Sequence, residues 1–397
     1  MRRTLGTTVT MLLFGLVPAA ALAQAQAEAL KLATLPQPTQ LHAVTTSEQP
    51  QAAAFTADGG SVVVSHLGKL TVLEAKTGKS EEVKVPRSYY HIRLSPDGAT
   101  FAATRSAGKG YELQLFEVGH VSPKLRTPIK ETGHFAHPLT FSADGRRVAI
   151  TDNKAITIFD TTTGKSVGTV GGRRVEAVLS PAGKLAVHTS DGDRDPERDW
   201  VLTDIATGKD RCKLTSFGRP SFRPDGSAVV TIERPKPKAG KDGKKPAGPV
   251  TVFSFTATFR DLTGVATKTI RVFEELPEER IPPSERAFAA QSSFSPDGKT
   301  LVVQLQNPTR GGLVLLDADT GRPRAFVPNQ QPDKRPYDFE CWAFSPDGRT
   351  LATSVRRTGE KVGSDRPPRT VRDKIEDGGG MTYLWDLTDL RAPEKKE

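Results

Sequence analysis

Asp191, Asp193 and Asp195 alternate in the run Asp-Gly-Asp-Arg-Asp-Pro-Glu-Arg-Asp, and their type and spacing come nearest to supporting chemistry. Hard cations such as Ca2+ take several carboxylate and carbonyl oxygens, and alternate positions in a tight loop can bring such oxygens together. The pattern then departs at two places. Pro196 stands where such a loop takes its sharp-turn glycine, and Leu202 where it takes a bidentate glutamate. Arg194 and Arg198 can satisfy the acids instead, so a solvated polar hairpin is the better reading. His134 and His137 form a second suggestive spacing, but zinc needs three or four ligands and no third is marked. All seven histidines lie at or before His188, so the second half of the chain adds none to a catalytic cluster. No G-x-S-x-G elbow, H-E-x-x-H pair or G-x-x-x-x-G-K-[ST] phosphate loop occurs. The expectation is a non-catalytic protein with no cofactor and no metal.

The elements that would position these residues come from a repeat. One five-residue phrase occurs seven times: FTADG at 55–59, LSPDG at 94–98, FSADG at 141–145, LSPAG at 179–183, FRPDG at 222–226, and FSPDG at 294–298 and 344–348. A fixed phrase at intervals of roughly 40 to 50 residues marks a repeat architecture. Its chemistry is that of a β-turn, in which proline presets φ, aspartate tolerates the third position and glycine takes the fourth. The Phe or Leu before it is expected to point between repeats. A second turn mark, Thr-Gly, follows at 77–78, 163–164, 207–208, 263–264 and 320–321. In the third unit, segments 139–142, 147–151, 155–159 and 167–170 read as four short strands joined by tight turns.

On these marks the chain resembles the WD40-type repeats of β-propellers, over about residues 50 to 390. The last unit matches best, with FSPDG followed by LATS at 351–354 and YLWDL at 383–387. Only Trp385-Asp386 is a true Trp-Asp pair; elsewhere Phe159-Asp160, Leu316-Asp317 or Leu73-Glu74 stand in its place, and Gly-His occurs cleanly only at Gly133-His134. A looser WD40-like or YVTN-like propeller is therefore the name that fits. The resemblance implies an all-β fold of four-stranded antiparallel blades around a channel. Seven phrases imply seven blades. The chain reaches only the third strand of the seventh unit, so an N-terminal strand within Leu30–Thr46 is expected to complete that blade and close the ring. Quinoprotein propellers share Asp-x-x-Thr-Gly-Lys marks but add a docking tryptophan. Here the following residues are Lys165-Ser166-Val167, Lys209-Asp210-Arg211 and Arg322-Pro323-Arg324.

The chain ends and the charge bound the setting. Arg2 and Arg3, an apolar run from Val9 to Val17, and Ala21-Leu22-Ala23 read as a signal peptide over residues 1–23, cleaved near Ala23. The propeller would occupy 24–390 as one domain, with 391–397 as a charged tail. Cleavage removes two arginines and no acid, taking the formal charge from +10 to about +8. A periplasmic or secreted basic protein is expected to bind no nucleic acid and to cross no membrane, while an anionic envelope polymer remains a candidate partner. Cys212 and Cys341 are the only cysteines, and both are expected to be unpaired. A monomer is expected.

Strand alternation places the a–b and c–d turns of every blade on one face and the b–c and d–a connections on the other. Nearly every long insertion belongs to the second set: Asp191–Asp199, Pro235–Pro249 and Thr358–Gly380 between b and c, and Glu274–Ala287 and Pro328–Asp338 between d and a. Loops on a rigid scaffold are where recognition concentrates. Segment Lys236–Lys245 carries net +4, whereas Asp191–Asp199 and Glu274–Arg286 each carry net −3, so neighbouring loops can neutralise one another. Aromatic and arginine side chains anchor interfaces, which makes Tyr337, Phe339, Arg356 and Arg357 the candidate partner-binding residues. The expected function is a secreted scaffold binding a protein partner through the loop-rich face. The alternative is a lactonase- or lyase-like propeller enzyme, which would need His, Asp or Glu converging in the central channel.

Overall fold

The computed structural model describes residues 35–46, 49–66, 69–85, 89–107, 110–120, 122–129, 139–151, 155–171, 176–189, 198–233, 254–274, 288–306, 311–329, 337–357 and 380–390. They form seven four-stranded antiparallel sheets, with no helix among the described residues. Blade 1 comprises Pro50–Phe55, Ser61–His66, Lys69–Glu74 and Ser80–Lys84, and blade 2 Tyr89–Leu94, Thr100–Ala107, Gly110–Glu117 and Leu125–Ile129. Blade 3 comprises Leu139–Phe141, Arg147–Thr151, Ala155–Asp160 and Ser166–Gly171, matching the four segments expected from sequence. Blade 4 holds Ala177–Leu179, Leu185–Thr189, Arg198–Asp204 and Asp210–Ser216, and blade 5 Ser221–Phe222, Val229–Glu233, Ser254–Arg260 and Ala266–Glu274. Blade 6 holds Phe288–Phe294, Thr300–Gln306, Gly312–Asp317 and Pro323–Pro328. Blade 7 takes Tyr337–Phe344, Thr350–Arg357 and Gly380–Asp386, and its fourth strand is the N-terminal Thr39–Thr46. The fold is a seven-bladed β-propeller, closed as the sequence predicts.

Hydrophobic packing between blades makes the ring. There are seven buried clusters, each joining two consecutive blades, and the last joins blade 7 to blade 1 through Phe55, Val62, Val64, Leu73, Ala352 and Leu384. Strands b and c are covered on both faces. They therefore read as continuous apolar runs, such as the fully buried Val62, Val63 and Val64, rather than alternating. The outer strand Ser166–Gly171 has one covered face and buries only Val170. Each fully buried Leu, Val or Phe contributes about 1.5–3 kcal/mol. The apolar residue of the repeated phrase supplies part of this: Phe55, Leu94, Leu179 and Phe222 are buried, and Phe141, Phe294 and Phe344 pack partly buried against the clusters.

Hydrogen bonding explains the phrase. In blade 7 the Ser345 hydroxyl donates to Asp347 at 2.6 Å and accepts the Thr350 amide at 2.8 Å, while Asp347 accepts the Arg349 amide at 3.0 Å. Blades 1, 2, 3 and 6 repeat this clasp through Thr56, Ser95, Ser142 and Ser295. Blade 4 has Ala182 in place of the aspartate and keeps only the serine half, with Ser180 accepting from Leu185. Blade 5 has Arg223 in place of the serine, and Ser227 donates to Asp225 instead. The c–d turns use a parallel device. Asp160 accepts from the Thr162 and Thr163 amides and pairs with Arg147, and Asp317 accepts from Thr320 and pairs with Arg324. These contacts hold the Asp317 carboxyl at about 2 although its partial burial pushes the other way. The Asp-x-x-Thr-Gly mark is thus accounted for as a turn closure.

The first strand does more than complete blade 7. It pairs with Gly380–Asp386 from Thr39↔Asp386 to Thr46↔Gly380. Its His42 meets the Lys76 carbonyl of blade 1 at 3.2 Å, and the Pro36 carbonyl just before it accepts the Phe326 amide of blade 6. Three blades are thereby tied by one segment. Deleting residues 30–46 is expected to lower the melting temperature by about 5 °C or more, measured by calorimetry; an unchanged melting curve would refute the closure. The glycine of the phrase makes a second test possible. Gly98 has φ +64° and a Cβ there would sit 2.7 Å from the Phe55 carbonyl oxygen, whereas Gly208 has φ +66° and open space around it. Gly208→Ala is expected to cost about 1 kcal/mol through the left-handed backbone alone, and Gly98→Ala about twice that or more. Equal denaturation midpoints for the two would contradict the packing of turn on turn.

Candidate interaction face and central channel

The observed topology fixes the two faces. The a–b and c–d turns are short, and among the described residues thirteen of the fourteen positive-φ glycines lie in them. The b–c and d–a connections leave from the other ends of the strands. Asp191, Asp193 and Asp195 lie outside the described residues, between strands b and c of blade 4. So do His134 and His137, between blades 2 and 3. The signal-peptide region, the tail 391–397 and the loops 235–249 and 358–379 are likewise outside. Among the described residues no three His, Cys, Asp or Glu side chains gather as metal ligands, and no helix is long and apolar enough to cross a membrane.

The four candidate partner-binding residues come together on one corner of blade 7. Tyr337 pairs with Arg357, Asp338 with Arg356, and Phe339 with Val355, at the loop-bearing ends of strands a and b. Phe339, however, is only 5% exposed and packs into the cluster between blades 6 and 7, so its side chain is spent on the ring. Its carbonyl accepts the Gln304 amide at 3.0 Å. Arg356 is presented: its Nε lies 3.2 Å from Glu340, which also accepts from Gln49 at 3.0 Å across the blade 7–blade 1 junction. The side chains of Tyr337 and Arg357 are outside the described set.

The a strands line the ring's centre and touch one another in sequence from blade 7 through blades 1 to 6. Polar bonds stitch them. Ser221 meets Ser292 at 2.9 Å between blades 5 and 6, and the Trp342 indole donates to Ser293 at 2.6 Å between blades 7 and 6. Two arginines do the same over longer reaches. Arg93 of blade 2 donates through Nη1 to the Gln51 carbonyl of blade 1. Arg219, just before the inner strand of blade 5, donates through Nη2 to the Ala177 carbonyl of blade 4 at 2.8 Å and to Thr140 of blade 3 at 3.4 Å. Its backbone forms a parallel bridge with Gln291 of blade 6.

These arginines have unusual surroundings. Burial pushes the Arg93 guanidinium below its ordinary range, opposed by the nearby Cys341 sulfur. Burial also pushes Arg219 down; Glu176 pulls it back, and the charge of Arg93 lowers it further. Glu176 itself lies 3.9 Å from Arg198. Sequence reasoning missed both arginines, yet a signal existed. Aligned on the repeated phrase, the residue before its apolar position is Ala54, Arg93, Thr140, Val178, Ser221, Ser293 and Ala343, and only blade 2 places a charge there.

Buried polar links also run through the blades. In blade 7 the Trp385 indole donates to Thr353 at 2.9 Å; in blade 4 His188 meets Thr203 at 2.8 Å, and Thr203 donates to Asp210 at 2.6 Å. Both lie along sheet interiors, away from the inner strands.

Fold and site together define a β-propeller with a polar, arginine-bearing centre. No protein-family model matches the chain, and no curated protein matches it. Solved structures do: 1091 chains match, so the fold is too widely shared to name an activity. One is a chain of Kuenenia stuttgartiensis hydrazine synthase, 18% identical, with a TM-score of 0.55, covering 78% of this chain and 94% of that one. At that identity the likeness is one of fold.

Cys212 and Cys341 are both free thiols, as expected from sequence. Burial pushes the Cys341 thiol up to about 12, against the pull of Arg93, and burial followed by the charge of Asp261 raises Cys212. At pH 8 the thiolate fraction of Cys341 is then on the order of a thousandfold below that of a free cysteine. Iodoacetamide is expected to leave Cys341 unmodified in the native protein and to label it after denaturation, read by peptide mass spectrometry. Labelling of native Cys341 at the rate of a free thiol would contradict its raised thiol pKa.

Proposed function

We propose that the protein is an extracytoplasmic, non-catalytic scaffold of WD40-like repeats that binds a protein partner through the face carrying the b–c and d–a connections. The observation that carries this reading is the asymmetry of the two faces. On the short-turn face, backbone and side-chain polar groups are used up within the turns, as in the Ser345–Asp347 and Asp160–Thr163 closures. The opposite ends of the strands carry the long connections, residues 190–197, 234–253, 275–287, 329–336 and 358–379, beside short ones such as 67–68 and 108–109. Arg356, held by Glu340 at that rim, supplies an anchoring side chain of the kind interfaces favour.

The export reading is supported by the basic start, apolar run and Ala-Leu-Ala site of residues 1–23. The scaffold reading is favoured over a lactonase- or lyase-like enzyme by the composition of the channel. Of the charged groups described at or beside the inner strands, Arg93 and Arg219 are given to backbone carbonyls, Glu340 to Arg356 and Glu176 to Arg198, an arrangement of structural pairs rather than of acid and base. Hydrazine synthase is by its name an enzyme, but fold likeness at low identity transfers no chemistry.

The mature chain, expected to begin at Gln24, should recover partners from an envelope fraction. Versions trimmed at 235–249 or 358–379 should lose some of them while keeping the same melting temperature. Recovery of one identical set by all three would place binding elsewhere and overturn the face assignment.

A further inference from the structure

The inward-facing arginines are not explained by docking at the loop face. A guanidinium stays protonated in proteins, so burial cannot be relieved by losing its charge. Compensation then has to come from carboxylates, acceptor groups or a bound anion. Arg93 has five N–H donors and gives one bond, to a backbone carbonyl. Among the described residues it has no carboxylate partner. Arg219 gives both its bonds through Nη2, and its buried Nε has no protein acceptor. The two heads come from blades 2 and 5, and Arg219 reaches across to Thr140 of blade 3, next to blade 2, where the charge of Arg93 bears on it. The acid acting on Arg219 is Glu176, already shared with Arg198, and Glu340 is held by Arg356 and Gln49. Both guanidinium forks therefore keep spare donors at the inner strands, with little negative charge set against them.

We propose that Arg93 and Arg219 form a binding site in the central channel for a small ligand bearing an oxyanion, a carboxylate or a phosphate. The planar fork of arginine matches two oxygens of either group, and enclosure by the inner strands strengthens such bonds relative to water. Thr140, already within reach of Arg219, adds a hydroxyl suited to the polar part of such a ligand. The site is distinct from the loop face, and its failure would leave the docking proposal standing.

The test titrates the full mature protein with inorganic phosphate, and separately with malonate, at constant ionic strength held by sodium chloride. Calorimetry should show one saturable site per chain for at least one of the two anions, and the stronger one identifies the ligand chemistry. Arg93→Met and Arg219→Met should each weaken binding at least tenfold, while Arg126→Met, on an exposed outer-strand position, should leave it unchanged. Should the channel variants fail to fold, hydrogen exchange on the unmodified protein reads the same question. The anion should then slow exchange at residues 92–94 and 219–221 and leave the outer strands unaffected. No saturable binding of either anion above the chloride control would overturn the proposal. So would binding unaltered in both channel variants, or equal loss in Arg126→Met, which would mark diffuse surface attraction.

Discussion

The clasp at the a–b turns, complete in blades 1, 2, 3, 6 and 7, is the interaction on which the remaining architecture depends. A serine or threonine hydroxyl, an aspartate carboxylate and a left-handed glycine close one hairpin with three short hydrogen bonds. The same turn also meets its neighbour. A Cβ on Gly59 would touch Pro346 of the preceding blade, one on Gly226 would touch Pro181, and one on Gly298 would touch Pro224. Each phrase therefore closes its own hairpin and, in these blades, seats the next one through its proline. That is why Pro, Asp and Gly recur together while the strands between them vary.

This dependence explains what could be read directly from the sequence. Blade number, strand order and the closing strand followed from the phrase and its spacing, because turns have strict residue demands. The two faces followed as well, since strand alternation is geometry rather than chemistry. The central arginines were not read. A charged residue in an inner strand looks like any other polar interruption until the ring curls it inward, and only alignment of Arg93 with Ala54, Thr140, Val178, Ser221, Ser293 and Ala343 exposes it. Phe339 misled for the opposite reason. An aromatic next to a long insertion suggests an interface anchor, but at its register in blade 7 the side chain turns into the blade 6–blade 7 core.

The molecule separates its polar and apolar interactions radially. Between blades the contacts are mainly hydrophobic, with Phe259 of blade 5 edge-on to Phe294 of blade 6 at 6.0 Å as one example, and they are interchangeable in kind from blade to blade. At the centre, where the inner strands converge, each junction is individual: a serine pair, an indole on a serine, two arginines of different reach. Repetition supplies stability and the centre supplies identity. A propeller can therefore diverge in what it binds without changing how it stands.

The pairing of Thr39–Thr46 with Gly380–Asp386 also sets an order of events. Blades 1 to 6 are each built from consecutive segments, so their hairpins can form from local contacts as the chain emerges from the ribosome. The seventh cannot. Its outermost strand precedes its partner by the length of the ring, so until Gly380–Asp386 is made the growing ring carries one unpaired strand and one exposed sheet edge. Closing so long a loop adds only a logarithmic entropic cost. The delay, rather than the energy, is then the vulnerable point, because an open edge is where one chain can pair with another.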